Sequence, residues 1–189
     1  VTFLCVLLFT LIESGWQWLN WNFLTSFPSR HVEQAGIKSA LWGTIWIASL
    51  VAVLSIPLGI GTAIWLEIYA TDNRFVRLIK INIANLAGVP SIIYGLLGLA
   101  LFSTWLGLGR TVLAGGLTMT ILTLPLVILT TQESIRSVPN TYKHAAFALG
   151  ATNWQVVRQI ILPSASPSII TGIIFAISRA IGEAAPMIT

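Results

Sequence analysis

The chain has 189 residues, of which 56% are hydrophobic and 8% charged, with a formal net charge of +4 and a mean hydropathy of +0.86. Soluble domains carry roughly 25% charge, so a water-soluble globule hiding this much apolar surface in one core is excluded. The basic residues are scattered between apolar runs, which argues against a nucleic-acid partner, and the single cysteine, Cys5, supports neither an internal disulfide nor a metal cluster.

The first apolar run, 1–12 (VTFLCVLLFTLI), falls short of the roughly 20 residues needed to cross about 30 Å of hydrocarbon. It reads as the tail of a first spanning helix; no basic leader or small-residue cleavage site makes it a signal peptide. The chain lacks an initiator Met and stops inside an apolar run, so it reads as a fragment truncated at both ends. Residues 13–37 form an extracytoplasmic connection in which Trp16, Trp18 and Trp21 mark the headgroup level. Four further stretches, 38–66, 81–106, 111–132 and 168–189, predict spanning helices. The expected fold class is therefore an all-α membrane protein, a polytopic transmembrane bundle with about five spans present.

Basic residues near the helix ends set the orientation. Arg74, Arg77, Lys80, Arg136, Lys143 and Arg158 fall in the connections 67–80 and 133–163, against Arg30, Lys38 and Arg110 on the other side, which puts the first two connections in the cytoplasm. The segment 133–167 is too polar to span and is bounded by Pro139, Pro163 and Pro167. It predicts two short surface helices, one from Tyr142 to Leu149 capped around Asn140-Thr141 and ended by Gly150, the other from Trp154 to Leu162 capped by Thr152 or Asn153.

Several polar and helix-breaking residues lie inside the spans. Arg179 and Glu183 are the charged residues of the last span, each costing about 2.5–3.5 kcal/mol near mid-bilayer on insertion scales. At i and i+4 they can neutralise each other, or Arg179 can offer its forked donors to an oxyanion that Glu183 helps hold and release; the second reading is favoured. Pro90 removes a backbone donor and is expected to kink the span 81–106, freeing carbonyls near Leu86. Asn85, Ser91 and Tyr94 can line a path there or hydrogen-bond between helices. Pro125 and Pro163 are expected helix breaks of the same kind, while the glycines and threonines of the spans are read as packing and back-bonding residues.

In the surface loop, His144-Ala145-Ala146, three residues, Gly150, nine residues and Ile160-Ile161-Leu162-Pro163 resemble the coupling-loop signature of ABC importer permeases, Glu-Ala-Ala-x3-Gly-x9-Ile-x-Leu-Pro. His144 stands where that pattern has Glu. Asn85-Leu86-Ala87-Gly88-Val89-Pro90-Ser91 with Ile92-Ile93-Tyr94-Gly95, and Ser178-Arg179-Ala180-Ile181-Gly182-Glu183-Ala184-Ala185-Pro186, are similar to helices of phosphate importer permeases of the PstA type. The resemblance covers nearly the whole chain from about residue 36 and implies a MetI-like permease domain over 38–189 with its cytoplasmic coupling loop at 133–167.

It further implies that an ATPase subunit grips the loop at His144, Ala145, Ala146, Leu149 and Gly150, and it points to Arg179 and Glu183 in the substrate path, with Asn85, Ser91 and Tyr94 as candidate path residues beside them. The implied partners are two ATP-binding subunits, a second permease of the PstC type, an extracytoplasmic phosphate-binding protein and the lipid bilayer of a bacterial inner membrane. A sixth helix is expected beyond residue 189. The sequence holds no G-x-x-x-x-G-K-[ST] loop, so ATP is expected to be used by a partner and no cofactor to be bound here. His31 and His144 stand far apart in the sequence with no ligand set around them, and no nucleophile and base are grouped, so neither a metal site nor an enzyme is expected. The rival readings are a permease for sulfate or molybdate, the PstC-type partner, an ion-gradient carrier and an intramembrane enzyme.

Overall fold

The computed structural model describes residues 2–16, 18–31, 34–183 and 186, which form eight helices and no strand. They are α1 (Thr2–Trp16), α2 (Trp21–Thr25), α3 (Lys38–Tyr69), α4 (Arg74–Ala87), α5 (Ser91–Trp105), α6 (Val112–Arg136), α7 (Asn140–Ala148) and α8 (Asn153–Gly182). The chain divides into two compact units, residues 1–45 and 46–189.

In the first unit α1 runs four residues past the apolar stretch read from the sequence, yet it remains too short for a full span. The short α2 is capped by Asn20, whose side chain accepts from the backbone N–H of Phe23 at 2.8 Å. Lys38 lies 5.0 Å over the ring of Phe27.

By length and composition, α3, α6 and α8 can each cross a membrane, and a fourth crossing is made if α4 and α5 count as one bent span. Three of the expected boundaries change. The apolar run 81–106 is two helices meeting at 102°, because Pro90 has no N–H to carry the helix on and Gly88 ends α4. The span expected at 111–132 continues to Arg136, since Gln132 and Ser134 are buried against other segments. The second surface helix and the last span are one continuous helix, α8, so Pro163 does not break it. The wider π-helical turn at Val157–Ile161 precedes Pro163, which then falls at the start of the next α-helical segment, where a missing N–H is tolerated. Pro125 likewise sits inside α6 without ending it. The end of the span read as 168–189 lies partly outside the described residues; helix ends at Gly182.

Packing follows small residues. A Cβ on Gly59 of α3 would come within 2.6 Å of Val127 Cγ1 on α6, and one on Gly98 of α5 would collide with Thr118 of α6, so both contacts need glycine. The hydroxyls of Thr118, Thr120, Thr123 and Thr130 donate back to carbonyls one turn earlier, as expected of threonines within helices. Among the described residues, the buried Thr131 hydroxyl has no hydrogen-bond partner. The main core joins Ala63 and Leu66 of α3, Val76 and Ile83 of α4, Ile128 and Ile135 of α6, Ala146 of α7 and Val156, Val157 and Ile161 of α8. It lies at the end of the bundle where α6 gives way to α7. A smaller cluster, Val51, Met119 and Ala180, lies farther along the same helices.

Candidate functional site

The loop helix α7 starts from Pro139 rather than from an Asn or Thr cap; Pro139 makes no side-chain cap bond and its fixed φ simply launches the helix at Asn140. Its end is sharply made. Gly150 adopts φ +82°, its N–H donates to the Phe147 carbonyl at 2.9 Å, and the Ala151 N–H reaches the Ala146 carbonyl at 3.1 Å. That pair of bonds closes the helix with the left-handed residue that glycine adopts without steric cost. Thr152 and Gln155 then form a reciprocal capping box that starts α8.

The two faces of α7 have different fates. Ala146 is buried in the protein's own core, so its small side chain serves packing within the chain and not a groove on another protein. His144, Ala145, Phe147 and Leu149 are exposed, with Leu149 90% accessible, and Tyr142 and Trp154 extend the exposed apolar surface. A protruding leucine and three exposed aromatics thus stand beside a rigid turn.

Behind this helix stands a polar hub that the sequence reading missed. Glu67, only 11% exposed, ends α3 and collects donors from two other helices. Arg136 binds it with both Nε at 2.9 Å and Nη2 at 2.8 Å, Gln132 Nε2 donates at 2.9 Å, and Lys80 Nζ lies at 3.2 Å. The forked Arg136 contact fixes orientation as well as charge. Glu67 thus ties α3, α4 and the last turn of α6 together immediately before the chain turns into α7. The signal in the sequence is an acid directly after an apolar run, with Lys80 in the same connection and Arg136 in the other one placed on the same side.

Of the five residues expected along a substrate path, three meet. Ser91 at the start of α5 donates to Glu183 Oε1 at 2.9 Å, and Arg179 Nε lies 3.9 Å from Glu183 Oε2. Glu183 follows the last helical residue and does not continue the helix, so it bends towards Ser91 instead of standing a full turn along from Arg179. Their side chains keep 42% and 22% of their exposure, which leaves the guanidinium accessible. Tyr94 does not join them. Its hydroxyl donates to the Leu86 carbonyl at 2.8 Å, joining the Val89 N–H that reaches the same oxygen at 3.1 Å beside the break at Pro90. Asn85 has an exposed side chain, and its carbonyl accepts the Gly88 N–H at 3.1 Å.

Residues 55–189 match the family described as binding-protein-dependent transport system inner membrane component. The chain belongs to this family. Among curated relatives, the permease is 36% identical over 178 residues to a probable ABC transporter permease protein, YqgI, of Bacillus subtilis, covering 94% of this chain and 60% of that protein. It is 36% identical over 180 residues to the phosphate transport system permease protein PstA 1 of Mycobacterium tuberculosis, covering 95% and 58%, and 32% identical over 192 residues to PstA of Haemophilus influenzae, covering 98% and 65%. The permease chain thus spans about six-tenths of the length of these relatives. Its fold is similar to that of the inward-facing MetNI methionine ABC transporter, with a TM-score of 0.72 at 18% identity over 78% of this chain and 71% of that one. The MetI-like, multi-pass helical architecture follows from the family and this fold.

Proposed function

We propose that this permease is the PstA-type half of a phosphate importer, driven by two separate ATP-binding subunits that bind α7. The observation that carries the coupling role is the division of that helix. Ala146 is fastened into the core, while Leu149 and its aromatic neighbours stand out beside a rigid glycine turn. A push on the exposed face reaches α3, α4 and α6 together, because Glu67 joins them where α7 begins.

Phosphate as substrate rests on the printed functions of the curated relatives and on the chemistry at Arg179. A separation of 3.9 Å from Glu183 is an ion pair without a short hydrogen bond, so the guanidinium keeps donors for a doubly charged oxyanion. An arriving anion competes with Glu183 for Arg179, and the Ser91 hydroxyl gives the displaced carboxylate a partner. When the anion leaves, Glu183 returns to Arg179. Tight selection then belongs to an extracytoplasmic binding protein, since a path that held phosphate firmly would trap it. The second permease would be PstC-like, the membrane a bacterial inner membrane, and hydrolysis of ATP would occur in the partner.

The test is reconstitution of this permease with its ATPase, second permease and binding protein in sealed vesicles. ATP-dependent uptake of labelled phosphate, unaffected by sulfate or molybdate, is the expected result. Competition by sulfate would move the substrate to another oxyanion, and uptake driven by an ion gradient without the ATPase would replace the coupling reading altogether.

A further inference from the structure

The break at Gly88-Val89-Pro90 sets α4 and α5 at 102° to each other. Two legs at nearly a right angle cannot both follow the membrane normal. Charge decides between them: α5 contains no Asp, Glu, Lys or Arg, whereas α4 carries Arg74, Arg77 and Lys80 and no acid. By charge, α5 is the leg suited to the hydrocarbon and α4 the leg suited to its surface.

One face of α4 is already used. Val76 and Ile83 enter the core shared with Ala146 and Val156, and Lys80 is held by Glu67, which fixes α4 at the same end of the bundle as the coupling helix. The remaining surface mixes cations with large apolar groups: Arg74 and Arg77 stand among Phe75, Leu78 and Ile81, all exposed. Arg77 lies 3.6 Å from Asp72, but both side chains are largely open to solvent, so the pair is weak and leaves the guanidinium free to take another anion. Aromatic and aliphatic side chains interleaved with long basic ones fit the boundary where acyl chains meet headgroup phosphates. There apolar groups sink and cations reach up along their own stems.

We propose that α4 is a membrane-surface helix that binds anionic phospholipid headgroups through Arg74 and Arg77, in the leaflet on the coupling-helix side. Because Lys80 and Glu67 join α4 to α3 and α6, the anchored helix acts as a fixed bearing against which the coupling end of the permease turns. The inference rests on the chain spanning a membrane and is independent of which anion it transports.

The test uses the assembled transporter with Cys5→Ser and single spin labels on Phe75→Cys or Leu78→Cys. In vesicles of phosphatidylcholine with added phosphatidylglycerol, both labels are expected to collide with oxygen more often than with a water-soluble nickel complex. Phosphatidylglycerol is also expected to raise ATP-driven uptake several-fold over phosphatidylcholine alone. Arg74→Gln with Arg77→Gln should remove that gain while leaving uptake in phosphatidylcholine unchanged; each cation near an anionic surface is worth roughly fivefold in lipid binding. Inorganic phosphate should not displace the effect. Labels reached freely by the nickel complex, labels shielded from both reagents by a covering protein, or a lipid gain retained by the double variant would each overturn the proposal. Failure of uptake in every lipid would instead strike the transport reading, with the labels still reporting the position of α4.

Discussion

Glu67 and Glu183 are both carboxylates on the apolar bundle, and the difference between their surroundings separates holding from exchanging. Glu67 is surrounded by Arg136, Gln132 and Lys80 at hydrogen-bond or ion-pair distance on three sides, with little exposure. Among the described residues, Glu183 has one short bond, from Ser91, and one long ion pair, to Arg179. A carboxylate whose lone pairs are filled by donors from two other helices fixes those helices to its own. One with an accessible, loosely paired cation beside it can give that cation to an incoming anion.

Substitutions can break or sharpen this contrast, and the largest effect is expected at the exchanging site. Arg179→Gln should lower phosphate uptake by about 10–100-fold, the worth of a charge-assisted contact of roughly 1.5–3 kcal/mol, with the complex still assembling. Uptake at the normal rate in that variant would remove Arg179 from the path. Next comes the outer face of α7. Leu149→Asp should weaken binding of the ATPase subunit by at least about 2 kcal/mol, or roughly 30-fold, while the melting temperature of the permease stays unchanged because the side chain touches little of its own fold. A titration of the purified ATPase that gives equal affinities for both forms would show that the protruding leucine is not an anchor.

Glu67→Gln tests the holding site. Loss of the charged acceptor should cost about 1–3 kcal/mol of stability and raise the ATP hydrolysed per phosphate moved, since Arg136 and Lys80 no longer share one anion. An unchanged ratio with lowered stability would make the hub purely structural. Gly150→Ala should cost about 1–2 kcal/mol by forcing a side chain into the left-handed region. Nothing lies within 4 Å of the added Cβ, so crowding contributes nothing. A melting temperature equal to that of the unaltered permease would contradict the strained turn. The smallest change is Ser91→Ala, expected to cost about 1 kcal/mol and a few-fold in uptake, because Glu183 then loses its one short hydrogen bond among the described residues. Ser91→Thr should restore most of it, and equal rates in all three forms would show that the hydroxyl has no part in the exchange.

Much of this permease can be read along one dimension. A bilayer demands long apolar runs, so α3, α6 and the last helix are visible as composition, and a loop too polar and too rich in proline to span stands out between them. The place of Gly150 was equally legible, because a helix that stops within one turn needs a residue free to take positive φ. Proline was less reliable. Pro90 does end a helix, but Pro125 and Pro163 sit in continuous ones, since a neighbouring π turn or packed helix can absorb the missing donor.

What the tertiary structure alone decided is how the helices are rotated about their axes. Rotation turns Ala146 inward and Ala145 and Phe147 outward on the same short helix, and it brings Gln132 to Glu67 across 65 residues and Ser91 to Glu183 across 92. It also aims the Tyr94 hydroxyl at the Leu86 carbonyl beside the break at Pro90. A hydropathy pattern fixes which segments enter the membrane, because transfer from water depends on each segment's own surface. The pairing of particular polar atoms depends on the packing of several helices at once, and that information is not local to any of them.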